Sequence, residues 1–148
     1  MDVVQSVSDE VYQKSVNGYR SMGAHFRHIL DHYDCFFTGL SEGVIDYTSR
    51  QRDPLTETDR MVAYGRFQSV CIQINEIDPA SIHRLVRLSG PNDMLEMVST
   101  VGRELAFLSS HTIHHFATIN RISDQLGVSL NIEFGMAKST ISYHKQQY

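Results

Sequence analysis

Apolar residues recur along this chain with the spacing of a helix face in three long stretches. From about Val7 to Leu40, the positions Val11, Ser15, Gly18, Met22, His25, Ile29, His32 and Phe36 follow one another in steps of four and three, the repeat of a helix side turned to a core. A second row runs beside it: Tyr12, Tyr19, Phe26, Tyr33, Phe37 and Leu40, with Gly43 placed to stop the helix. Residues 44–55 are irregular and mixed in charge, and Pro54 marks a turn. A second helix is predicted from Thr56, with Asp59 at its third position. It turns Met61, Tyr64, Val70, Ile74 and Ile77 inward and ends before Pro79. Residues 81–88 and 94–100 flank Ser89, Gly90, Pro91, Asn92 and Asp93, and read as either a β-hairpin or a long irregular crossover. The third long helix runs from about Thr100 to Leu126 with Gly127 as its stop. Its stripe is Val101, Leu105, Leu108, His111, His115, Ile119, Ile122 and Leu126. A short last helix covers 139–146.

Three long helices and a shorter one predict an all-α four-helix bundle, a single domain over 1–148 with a long crossover before the third long helix. Apolar residues at 41% and charged residues at 20% fit a folded domain. Thirteen Lys and Arg against 17 Asp and Glu give a net charge of −4. That balance argues against nucleic acid as a partner, because non-specific binding needs a basic face. No window approaches the roughly 20 apolar residues of a membrane span, and Met1 to Ser6 have neither the basic nor the apolar region of a secretory signal. The expectation is a cytoplasmic protein, with Cys35 and Cys71 as reduced thiols.

The candidate chemistry lies in the histidines. Six of the eight fall in two windows, His25, His28 and His32, then His111, His114 and His115. His111 and His115 are four apart, so they share one helix face. They occupy core positions where an imidazole is costly unless its nitrogens find partners, and a shared metal ion satisfies both. On the first helix His25 and His32 lie in the core row, while His28 is rotated off it. His25 and His32 are about 10.5 Å apart along the axis, so one of them is the third ligand, and spacing leaves the choice open. The His-Glu-x-x-His zinc-protease pattern is absent, since residues 111–115 read His-Thr-Ile-His-His. Glu-x-x-His motifs of di-iron bundles are absent too. Glu104 is a candidate to orient a ligand histidine, and Arg50 and Arg52 are candidates to hold an anionic substrate group.

The stretches Ser21 to His32 and Gly102 to Phe116, with Arg50 to Pro54 between them and Phe134 to Thr140 after them, resemble the DinB-like (DinB/YfiT) proteins. The resemblance implies a four-helix bundle, often dimeric, holding a divalent metal on three histidines, which in this chain are His25, His111 and His115. Activities of such proteins include thiol S-transfer with low-molecular-weight thiols such as bacillithiol or mycothiol, and the related maleylpyruvate isomerisation. Three imidazoles leave coordination positions open, the catalytic kind of site. The ion itself, Zn, Ni or Fe, is not specified by imidazole ligands.

The expected function is therefore a metal-dependent enzyme acting on a small molecule, a thiol S-transferase or a hydrolase. The alternative is a non-catalytic metal-binding, stress-associated bundle serving as a ligand-binding or dimer module. The aromatic row from Tyr12 to Phe37 predicts a homodimer, because a single bundle contact buries little more than about 100° of a helix.

Overall fold

The end of one long helix and the start of another are tied to the same small sheet, and this sets how their histidines meet. In the computed structural model, which describes residues 2–90 and 97–146, two short helices, α1 (Asp2–Ser6) and α2 (Asp9–Gln13), precede the long α3 (Met22–Glu42). Then come strand β1 (Val44–Ile45), α4 (Pro54–Thr58), α5 (Arg60–Asn75) and a 3-10 turn (Pro79–His83). Strands β2 (Leu85–Leu88) and β3 (Met97–Thr100) lead into α6 (Val101–Gln125), and α7 (Lys138–Gln146) follows. No helix among the described residues is long and apolar enough to cross a membrane.

The first predicted helix is divided. Val16 and Tyr19 form an isolated bridge around a turn in which Gly18 takes φ +84°, a conformation that costs glycine little. Ser21 then caps α3, its Oγ accepting from the Ala24 N–H at 3.1 Å. Gly43 ends α3 at φ +85°, its N–H donating to the Gly39 carbonyl at 2.8 Å. The second predicted helix is also two helices. Asp53 caps α4, and Asp59 Oδ1 caps α5 by accepting from the Met61 and Val62 N–H groups. A side chain that serves as a cap ends one helix as it begins the next, so Asp59 is a break and not a third helical position. Inward on α5 are Ala63, Phe67 and Val70, whereas Met61 is exposed.

The all-α four-helix bundle is corrected by the sheet. Among the described residues, β1 pairs parallel with β2 (Val44 with Arg87, Ile45 with Leu88), and β2 pairs antiparallel with β3 from Leu85–Thr100 to Leu88–Met97. The order β1-β2-β3 makes a mixed three-stranded sheet beside the seven helices of the described residues. A two-residue strand carries no readable period, so 44–55 shows only irregularity in the sequence. The turn expected at Pro91, Asn92 and Asp93 lies outside the described residues.

The core has two parts. Tyr12, Met22, Phe26, Ile29 and Leu30 pack with Ala63, Phe67, Val70, Ile119 and Ile122. Phe36, Ile45, Val86, Val101 and Leu108 form the second, with Tyr33 and Phe37 touching both. Tyr12 is fully buried, stacks on Phe26 at 5.9 Å, and donates its hydroxyl to the Thr56 carbonyl at 2.7 Å. Much of the aromatic row thus packs inside the single chain.

Candidate metal centre

α3 and α6 lie side by side, joined by Tyr33 Oη and Thr112 Oγ1 at 3.3 Å. α6 is positioned from its first residue. Thr100, the last residue of β3, accepts the Arg103 N–H on Oγ1 at 3.2 Å, and the Val101 N–H donates to the Arg84 carbonyl at 3.0 Å. The fixed start and the helical repeat carry His111 and His115 to the face that meets α3.

Five imidazoles gather there. The His28 ring is 4.4 Å from His32, 5.0 Å from His111 and 4.7 Å from His115. His32 is 4.2 Å from His111, and His111 is 4.5 Å from His115. His25 reaches His115 from the other side, Nδ1 to Nδ1 at 2.9 Å. His115 Nε2 is 3.2 Å from His111 Nε2. Three nitrogens each about 2.0–2.1 Å from a tetrahedral ion stand about 3.3 Å apart, so the ring spacing is on the scale of shared coordination.

Each ring can be assigned by its partners. His32 Nδ1 donates to the His28 carbonyl at 2.8 Å, which leaves Nε2 to accept from Arg50 Nη1 at 3.3 Å; both nitrogens are engaged. Among the described residues, the set that offers three donor atoms within 4.8 Å of one another is His28, His111 and His115. His25 Nε2 and His111 Nδ1 are buried without a hydrogen-bond partner. Such orphaned nitrogens cost about 1–3 kcal/mol each when nothing satisfies them. An all-imidazole donor set with unsatisfied nitrogens fits a borderline transition-metal ion.

Protonation follows the same logic. Burial, with the nearby positive groups, lowers His28 and His115 to about 3 and His111 to about 4. His25 and His32 are lowered as well, burial first. A neutral imidazole is the metal-binding form, so the site is neutral well below pH 7.

Behind His32 lies a buried acceptor. Glu104 is fully buried and accepts from Tyr47 Oη at 2.9 Å, Ser99 Oγ at 2.6 Å and Arg103 Nη1 at 3.1 Å. Tyr47 stacks on His32 at 5.6 Å, and burial together with the Glu104 carboxylate raises its pKa. Glu104 therefore reaches the histidines through Tyr47, not by a direct hydrogen bond. Arg27, also buried, pairs with Asp31 at 2.6 Å and Glu57 at 2.8 Å. Cys35 is buried with its thiol pKa pushed up by burial, and Cys71 is exposed; neither is in a disulfide.

The cluster opens outward. Arg20, Ala24, His25, Arg27, His28 and His115 line a cleft of about 190 Å³. A second cleft of about 390 Å³, lined by Arg20, Arg27, His28, Arg50, Arg52, Pro54 and Glu57, shares His28 and two arginines with it. The structure brings His25, His111 and His115 together and puts Arg50 and Arg52 on the adjoining cleft. His28 and Arg20 were missed. His28-x-x-x-His32 repeats the spacing of His111-x-x-x-His115, and that second pair was the legible signal.

No family model matches the sequence, and no solved structure matches it. The chain is 35% identical over 109 residues to a protein named FK506-binding protein 5 of Rhizopus delemar. The match covers 70% of this chain and 28% of that relative, so the chain spans less than a third of the relative's length. This finding overturns the DinB-like resemblance, and with it the description of the chain as a DinB-like four-helix bundle. The resemblance leaned most on two histidine-bearing helices in order, with Arg50 to Pro54 and Phe134 to Thr140 beside them. Any fold that packs two such helices together can present those stretches.

Proposed function

We propose that this protein binds one divalent transition-metal ion on His28, His111 and His115, and that the ion serves catalysis on a small molecule entering by the adjoining cleft. The observation that carries the reading is the convergence of three imidazole donors from α3 and α6 within 4.8 Å. Zinc, nickel and iron all accept such ligands. An ion held by three side chains keeps positions open and supplies Lewis acidity there, as in metal-assisted hydrolysis.

The chain's own residues have separable tasks. With an ion on Nε2 of His115, its Nδ1–H would donate to Nδ1 of His25, 2.9 Å away, and this contact would hold the His115 ring with Nε2 toward His111. His32 is held by the His28 carbonyl, Arg50 and the face of Tyr47, and so packs the fourth side of the cluster. The arginines of the cleft favour an anionic substrate. The open cleft supports an enzyme over a closed storage site. The thiol-transferase expectation rested on the family resemblance and has no independent support.

The test is metal content by elemental analysis after loading. The wild type should hold one ion per chain, and His28→Ala, His111→Ala and His115→Ala should hold none. His144→Ala, far along on α7, should match the wild type. Full occupancy in the three variants would reject the site.

A second reading comes from the name of the Rhizopus delemar relative, binding of FK506, and is favoured by the 109-residue match. Titration of the purified chain with FK506 tests it: saturable binding supports that reading, and none at micromolar concentrations removes it.

A further inference from the structure

Seven of the ten arginines of this chain bear on the cleft or on the ion pairs around it. Arg27, Arg60, Arg66 and Arg103 each face a carboxylate. Among the described residues no carboxylate pairs with Arg20, Arg50 or Arg52, yet these three line the same 390 Å³ cleft. The one carboxylate on its wall, Glu57, is engaged by Arg27 Nε at 2.8 Å. Arg50 gives a single N–H to His32 and keeps the rest of its five donors. In a chain of net charge −4, three guanidiniums without counter-charges around one opening form a local field that concentrates anions.

The backbone adds a second observation. Arg52 has φ +55°, and it is the one non-glycine residue with positive φ among those described. Such a conformation is uncommon outside glycine and asparagine and is strained for a side chain of this length. Glycine would adopt it without strain, but this chain places a guanidinium there, on the rim of the cleft.

We propose that Arg20, Arg50 and Arg52 form an oxyanion subsite for the phosphoryl group of a small phosphorylated substrate. A carboxylate is filled by one bidentate guanidinium, whereas a phosphoryl group offers three outer oxygens to three planar forks. The cleft shares His28 with the imidazole cluster, so the remainder of the molecule lies toward His28, His111 and His115. That orientation rests on the metal-site reading; the subsite itself does not.

The experiment is calorimetric titration of inorganic phosphate, with acetate as the carboxylate control, into the full chain after chelation and again after metal loading. Chelated protein should bind one phosphate, with acetate at least tenfold weaker. Arg20→Ala and Arg52→Ala should each weaken phosphate at least tenfold and leave metal content unchanged. Arg52→Gly should lose phosphate equally without a fall in thermal midpoint, which separates lost charge from lost folding. No phosphate uptake by chelated protein, acetate binding as tightly, or unchanged affinity in the Arg20 and Arg52 variants overturns the subsite. Phosphate binding without metal uptake keeps the subsite and rejects the metal site. Metal uptake without phosphate binding does the reverse.

Discussion

Nδ1 of His25 lies 2.9 Å from Nδ1 of His115, across the seam between α3 and α6. One of the two nitrogens must donate and the other accept. If His115 binds an ion through Nε2, its Nδ1 carries the proton and His25 is the acceptor. His25 is then a positioning residue. His25→Ala should weaken metal binding by about 10–100-fold, the usual effect of removing an outer partner of a ligand histidine. His28→Ala should abolish it. Chelator competition on both variants measures the difference. Equal loss in the two would give His25 a direct place on the ion.

Acidification should destabilise the metal-free protein early. The unfolded chain takes up protons on its histidines near pH 6.5. Folded His28 and His115 resist protonation down to about 3, and His111 to about 4. Across that window the unfolded state binds more protons, so stability falls as pH falls. Above pH 7 these groups are neutral in both states and contribute no slope. Urea midpoints from pH 7.5 to 4.5 should decline, and less steeply in a His28→Gln, His115→Gln double variant. Parallel profiles would mean that the imidazoles are not the cause.

Asp31 is 2% exposed and holds the 8%-exposed Arg27 at 2.6 Å. Removing one partner of a buried pair leaves the other charge uncompensated, at about 3–5 kcal/mol. Glu57 still meets Arg27, so Asp31→Ala is expected at the lower end. Chemical denaturation checks the value, and a loss below 1 kcal/mol would show that water reaches Arg27.

Gly23→Ala should be poorly tolerated. A Cβ there would stand 2.0 Å from the Glu57 carbonyl oxygen and 2.7 Å from a ring carbon of Tyr12. α3 and α4 are that close because position 23 has no side chain. Overpacking of this kind costs about 1–3 kcal/mol or more, readable as a lower thermal midpoint. An unchanged midpoint would mean that α4 shifts freely.

The elements legible in the sequence were those with long periods and clear ends. α6 begins at its Thr100 cap and stops before Gly127, and Gly43 closes α3, as the pattern predicts. The breaks were harder to see because the apolar stripe continues in phase across them. Tyr12 and Phe26 fall on one helical row, yet the chain between them turns at Asn17-Gly18, a dipeptide that itself signals a tight turn. The sheet was invisible where β1 has two residues. In the site, His28 lies off the centre of the apolar stripe, yet its ring reaches both His111 and His115. Three residues along a helix shift the direction by only about 60°, and α6 meets α3 on the flank that His28 and His25 straddle.

The first proposed ligand stands on α3 and the other two on α6, with β1, α4, α5 and the paired strands between them in the chain. An ion across that seam is a clasp closing a very long loop, and such a clip restricts the unfolded chain as a cross-link does. At a free-ion concentration one hundred times its dissociation constant, it would add about 2.7 kcal/mol to folding. The thermal midpoint would then become a gauge of free ion, and a chain starved of metal would be cleared by proteolysis sooner than a loaded one.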